Sequence, residues 1–402
     1  MSTVAQRSRD LPQLRADTPG CQHIIHFNNA GAALPIKEVV DIQHAFLDSE
    51  ALCGGYETVI TETEALQLAY NELATMLNCS ARNIAILQSA TAAWMQVFYG
   101  IPFQSGDRIL TGVHEYAANY IAFLQVAKRT GAKIEVIPET ADNDVNLEAL
   151  EHSIVHGQGR PALLAFTHIP TNSGRVYSAE GIGAIAKRHG VPFLLDACQS
   201  VGQMPLNVAK LGCNWLSGTS RKYLRGPRGV GFLYASDKAM QQSEPAALDM
   251  WGAEWVTGGQ YRLQPGARRY EQYERCFAAV AGLGVAARYA NELGVDWIWE
   301  RVQELAAELR SRLRSIPGVT VHDRGRLLCG IVSFTKDGVD SAQMKAFLLK
   351  KMINVSISPM TSTRLDFEKH GLPESVVRAS VHYYNSSADI EQLAQAVSDA
   401  HQ

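Results

Sequence analysis

From about residue 80 to 235 the chain alternates short apolar runs with amphipathic stretches. "NIAILQ" (83–88) reads as a strand and "TAAWMQVFYGI" after it as a helix. "RILTG" (108–112) is the next strand, and "AANYIAFLQVAKRTG" is a helix that stops at a glycine, which accepts the left-handed turn closing a helix. "KIEVIP", "ALLAFTHI", "VPFLLDA" and "CNWLSG" continue the strand series. Between two of them lies "SAEGIGAIAKRHG", a helix with Ser178 as its expected N-cap. Near-continuous apolar strands separated by helices predict an α/β fold: a mostly parallel sheet covered on both faces. Such sheets bind ligands beyond the C-terminal ends of their strands.

The pattern changes after about residue 270. "CFAAVAGLGVAARYANELG" and "VDWIWERVQELAAELRSRLRSI" are long helices. "VTVHD", "GIVSFT" and "INVSIS" read as strands, with helices expected at 340–351 and 388–401. This predicts a smaller C-terminal α+β domain. The expected division is a loose N-terminal arm at 1–22, a large domain at 23–268 and a small domain at 269–402, with the boundary near "TGGQYRLQPGARRYE". The turn-rich "HIIHFNNAGAALP" is compatible with packing on either domain.

Composition narrows the function classes. Hydrophobic residues make up 46% and charged residues 19% of the 402, with a net charge of −3, so nothing points to nucleic acid or anionic membranes. No apolar run reaches the ~18 residues a membrane helix needs. Seven cysteines (Cys21, Cys53, Cys79, Cys198, Cys213, Cys276 and Cys329) lack CxxC pairs. That argues against a disulfide framework and a zinc site, so no metal is expected and a reducing cytoplasm is the default.

The chemistry concentrates at two strand ends. Asp196 closes the apolar run of "FLLDACQS", and Lys222 follows "CNWLSG" within "SGTSRKYLRGPRGVGFLY". An aspartate at that point can also simply cap the next turn. A lysine and an aspartate on adjacent strand ends suit pyridoxal phosphate, with Lys222 as the Schiff-base residue and Asp196 keeping the pyridine nitrogen protonated. Thr219, Ser220 and Arg221 directly precede the lysine and are placed to reach a phosphate. Ser89, Ala90 and Thr91 open a helix straight after a strand, a second place for an anion.

These motifs resemble the class V aminotransferase family of fold-type I pyridoxal phosphate enzymes. The resemblance runs from about residue 23 to the C-terminus and rests on "SAT", "EYAAN", "HIPTNSG", "DACQSVGQMP", "RKYLRGPRGVGFLY" and "VRASVHYYN", which come in the family's order. It implies a seven-stranded large domain, a homodimer, catalytic roles for Lys222, Asp196 and Tyr116, and a Gln199 contact to the cofactor's phenolic oxygen. Phosphate contacts fall on Thr91 and Thr219, with Arg221 a further candidate. Tyr116 stands where cysteine desulfurases carry a histidine stacked on the ring; a tyrosine stacks too but is a poorer acid–base group near neutral pH. Thr171 and its neighbour Asn172 are alternatives for a contact beside the ring oxygen. Arg378 matches the arginine that clamps the substrate carboxylate, a task suited to a guanidinium fork, and Asn29 is expected near the same carboxylate.

Two departures shape the functional expectation. Cysteine desulfurases attack sulfur with a loop cysteine, and residues 351–378 contain none; Cys329 reads as a buried small hydrophobe. The segment "RRYEQYERCF" keeps Arg269, Tyr270 and Glu271 of a family motif that contacts phosphate across a dimer, but lacks its Gly-Thr; Arg225 and Arg228 are candidates to compensate. The loop "INVSISP…STRLDFEKHGL" resembles the ergothioneine C–S lyase and epimerase-like branch. The expected function is therefore a C–S lyase performing β-elimination on a cysteine-derived or S-substituted (sulfoxide) amino acid, with a transaminase or epimerase as the alternative and persulfide-forming desulfuration disfavoured. His168 reads as a hydrogen-bonded structural histidine.

Overall fold

The computed structural model of the protein describes residues 7–401. Its centre is a seven-stranded sheet in the order Ile84–Leu87, Gly231–Ala235, Trp215–Thr219, Phe193–Asp196, Pro161–Thr167, Arg108–Thr111, Lys133–Val136. Gly231–Ala235 runs antiparallel to its two neighbours, and every other pairing is parallel. Successive strand residues point to opposite faces, and both faces are apolar. Phe166, Phe193 and Leu195 belong to a layer with Ile182 and Leu283. Leu163, Ala165 and Leu194 belong to the other, with Trp94, Phe98 and Phe123. The parallel strands therefore deliver their C-terminal residues to one common edge.

The small domain is an antiparallel sheet ordered Val319–Val321, Ile331–Lys336, Ser375–Ser380, Ser356–Pro359. The alternating "INVSIS" does not form one strand. Ile353–Asn354 pairs in parallel with Ile25–His26, while Ser356–Pro359 joins the four-stranded sheet. The "HIIHFNNAGAALP" segment consequently touches both domains: the Phe27 and Asn28 stretch bonds the 375–380 strand, and the Ala33 N–H donates to the Arg221 carbonyl at 2.9 Å.

Packing corrects the expectation of a loose N-terminal arm. Residues 7–22 are docked rather than loose: Leu14 is fully buried, Arg7 pairs with Glu38 and Glu292, and Arg15 reaches Asp389 at 2.8 Å. The boundary segment contains a hairpin, Ala253–Thr257 with Gln260–Leu263, which carries exposed Trp255, Val256 and Tyr261. Beyond it, the Phe277–Leu293 helix lies against the Lys37–Cys53 and Thr63–Leu77 helices.

Candidate active site

A cleft opens at the C-terminal edge of the large sheet, the usual place for a ligand in such a fold. Its floor is built from strand ends. Thr167 and Asp196 are paired across adjacent strands, and Asp196 faces Ser217 on the next. Thr219 ends that strand, and the chain turns at once into Arg221 and Lys222, which both line the cleft. Burial is the main cause that lowers the Lys222 ammonium to about 8; Arg221 and Arg378 lower it further, and Cys198 and Asp196 oppose them. About a tenth of Lys222 is therefore neutral, and so nucleophilic, at pH 7, far more than for an exposed lysine.

One wall is the start of the Ala90–Phe98 helix. Ser89 caps it, its Oγ accepting the Ala92 N–H at 3.0 Å, and Ser89, Ala90 and Thr91 line the cleft beneath free helix-terminal N–H groups. Gly231 makes this closeness feasible: a Cβ there would stand 2.4 Å from the Ala90 nitrogen. Thr219, Gln199, Thr171 and Tyr116 complete the lining drawn from the predicted residues. Tyr116 is partly exposed, and burial and the nearby Asp196 raise its phenol.

Four predicted residues stand outside the lining. Ser220 is fully buried, and its Oγ has no hydrogen-bond partner among the described residues. Asn172 donates to the Asp366 carboxylate at 2.6 Å. Asn29 donates to the Ser380 carbonyl at 2.6 Å and accepts from the Tyr384 hydroxyl, so its amide holds the N-terminal segment to the small domain. Arg378 lies mid-strand, directly behind Thr171, donating to its carbonyl at 2.8 Å and its hydroxyl at 2.6 Å, and to Ser356 Oγ at 3.1 Å. Its buried Nε has no hydrogen-bond partner among the described residues.

Other candidates resolve as structural supports. Arg225 turns away from the cleft with φ 64°, donating to Leu34, Tyr383 and Thr18 and stacking over Tyr384. It is not available to a phosphate there. Arg269 donates to the carbonyls of Gln264, Gly266 and Met240, and buried Glu271 gathers Tyr70, the Ile86 N–H, Trp251 and Arg275. His168 is buried against Ser200 Oγ at 2.8 Å, and burial lowers its imidazole to about 4. Cys329 is wholly buried, its thiol raised to about 12.

Three residues that sequence reasoning passed over also meet at the floor. Asn119 and Cys198 line the cleft, and Glu115 lies just beneath it. The i, i+4 spacing of Glu115 and Asn119 around a helix start was the available signal. Cys198 is close to Asp196, but burial first, and that carboxylate next, push its thiol well above its usual range, so it is a poor thiolate.

This is a floor with a depressed lysine, a carboxylate at a strand end, a helix N-terminus, and Gln199, whose buried Oε1 has no partner among the described residues. A model of the aminotransferase class-V family matches residues 24–393. The chain belongs to that family.

Membership makes it an enzyme dependent on pyridoxal phosphate, and the floor fits the group: Lys222 to hold it covalently, Asp196 at the pyridine nitrogen, and the 89–91 helix start with Thr219 at the phosphate. When bound, that cofactor supplies an electron sink conjugated to the substrate's α-carbon. Similarity extends over the whole chain. A probable cysteine desulfurase of Methanothermobacter thermautotrophicus is 27% identical, with 97% of this chain and 96% of that protein covered. The apo structure of a cysteine desulfurase from Thermococcus onnurineus superposes with a TM-score of 0.89 at 25% identity, covering 98% of each chain. A third protein, described with glycine covalently linked to its pyridoxal phosphate cofactor, has a TM-score of 0.85 at 21% identity, covering 96% of this chain and 99% of that one. These relatives overturn the expectation of a lyase for S-substituted amino acids, or of a transaminase or epimerase, in which desulfuration was disfavoured for want of a loop cysteine.

Proposed function

We propose that this enzyme removes the sulfur of L-cysteine and passes it to a thiol that the 351–378 segment does not itself carry. The observation that supports this most is the Lys222–Asp196 floor in a chain matched end to end by cysteine desulfurases. Lys222, partly neutral at pH 7, takes the α-proton and returns protons to carbon. Arg378 anchors the α-carboxylate beside Thr171. An external thiolate then attacks the substrate Sγ: an S–S bond forms, the Cβ–Sγ bond breaks, and the electron pair left on Cβ collects a proton. The balance is L-cysteine plus RSH giving L-alanine plus RSSH. The high proton affinity of the Cys198 thiol is the reason to place the acceptor outside the chain. Purified holoenzyme given L-cysteine and excess dithiothreitol is expected to form alanine and sulfide in equal amounts, with alanine formation rising with the thiol concentration. Pyruvate and ammonia in place of alanine overturn the proposal.

The working unit in this reading is a homodimer in the reducing cytoplasm. Supporting the first are the exposed Leu52, Tyr56 and Ile60 of the Lys37–Cys53 and Gly55–Thr61 helices and Trp255 of the 253–263 hairpin, apolar groups that favour a second protein surface. Supporting the second are seven cysteines, all unpaired. No helix among the described residues is long and apolar enough to cross a membrane. Light scattering is expected to give twice the chain mass, and Ile60→Glu combined with Trp255→Glu to halve it. A monomeric parent protein excludes the dimer.

A further inference from the structure

The carboxylate of Asp196 does not stand alone at the cleft floor. Its Oδ1 accepts the Cys198 N–H at 2.9 Å, and its Oδ2 accepts the Asn119 side-chain amide at 3.0 Å. The same Asn119 nitrogen donates its second hydrogen to Glu115 Oε1 at 2.8 Å. An amide nitrogen has two hydrogens and no more, so Asn119 is fully committed as a bridge between two carboxylates.

Glu115 is in turn immobilised. It accepts the Tyr116 N–H at 3.0 Å, the Thr167 N–H at 3.0 Å, the Thr111 hydroxyl at 3.0 Å and the Thr167 hydroxyl, besides Asn119. Three of those five donors are N–H groups that cannot reverse direction, which suits a carboxylate rather than a carboxylic acid. Burial pulls the other way, raising Glu115 to about 7, and Asp196 adds to the rise through like-charge repulsion. The charged and titratable groups around the pair are Lys222 and Arg221 across the cleft, Tyr116 and Cys198 beside it, and the buried, neutral His114 behind, whose imidazole burial lowers strongly. Glu115 has five hydrogen-bond donors and no cationic partner among the described residues, more than a structural cap needs.

We propose that Glu115 and Asn119 are positioning residues for Asp196: Asn119 fixes the plane of its carboxylate toward the cleft, and Glu115 pins Asn119 through its second amide hydrogen, so that together they keep Asp196 aimed to hold the proton on the cofactor's pyridine nitrogen. The orientation follows from the two N–H donors gripping one oxygen each, which leaves Asp196 no free rotation about its last bond. This inference concerns the cofactor's ring and does not depend on which amino acid is the substrate.

The test is the ¹⁵N resonance of ring-labelled pyridoxal phosphate loaded into the parent protein, Asn119→Ala, Glu115→Gln and Asp196→Asn. Asp196→Asn sets the scale for loss of the ring proton. Asn119→Ala and Glu115→Gln are expected to move the resonance toward that of Asp196→Asn, and to lower kcat about tenfold with KM little changed, the scale on which outer partners of a cofactor-binding group act. Asn119→Ala leaves four of the five donors to Glu115 in place and decides the matter if Glu115→Gln does not fold. A ring resonance identical to the parent's in Asn119→Ala, even with a lower melting temperature, overturns the proposal.

Discussion

Lys222→Ala is expected to abolish turnover, with a loss on the order of 10⁴-fold, the upper end of what one positioned proton-transfer group contributes. The variant also loses the covalent attachment of the cofactor, so dialysis should strip it where the parent retains it. The lysine lies just past a strand end, in the same cleft as Asp196 and the helix start at 89–91. A pH test separates this role from mere occupancy. Burial lowers the Lys222 ammonium to about 8, so the neutral amine falls roughly tenfold per pH unit below that value and is nearly complete above it. Capture of free pyridoxal phosphate by the apo-protein, followed by absorbance in stopped flow, should therefore rise with unit slope up to about pH 8 and then level off. A rate still climbing at pH 10 would mean that the lysine behaves like an exposed one and that the cleft does not activate it.

Arg378→Ala is the second large effect. The Arg378 guanidinium sits behind Thr171 with three hydrogen bonds that fix its plane, while burial lowers its proton affinity only to about 10, which leaves it charged at neutral pH. Loss of a charged hydrogen bond to a carboxylate costs roughly 1.5–3 kcal/mol, so KM for L-cysteine should rise about 10- to 150-fold. Arg378→Lys should fall between, because an ammonium keeps the charge and loses the planar fork. Steady-state kinetics on L-cysteine and on cysteamine, which lacks the carboxylate, provides the check. An unchanged KM for cysteine in Arg378→Ala, with cysteamine accepted equally well by parent and variant, would move the carboxylate site elsewhere. Asp366 bears on the same corner: it accepts from Asn172 and pairs with buried Arg175 at 3.0 Å, pinning the Arg364–His370 helix to the segment that carries Thr171.

Local pattern was enough to locate the large sheet, the strand ends bearing Asp196 and Lys222, and the capped helix at Ser89. Each is encoded within a few residues: apolar runs of strand length, turn residues after them, and a Ser at the junction. The pairing of strands was not encoded that way. Alternation in "INVSIS" satisfies any sheet, and only the three-dimensional arrangement gave Ile353–Asn354 to the N-terminal segment and Ser356–Pro359 to Ser375–Ser380. The fates of the arginines were equally non-local. Arg225, expected as a compensating phosphate contact, folds inward onto Tyr383 and Tyr384, and Arg378, expected at the substrate carboxylate, meets Thr171, because their partners come from 158 and 207 residues away. The Asp196–Asn119–Glu115 bridge spans 77 residues between Asp196 and Asn119. Residue types and spacing therefore determined the fold class and the cofactor but pointed to the wrong reaction, and tertiary contacts decided which groups orient the floor, since hydrogen-bond geometry between distant segments exists only once the core has brought them together.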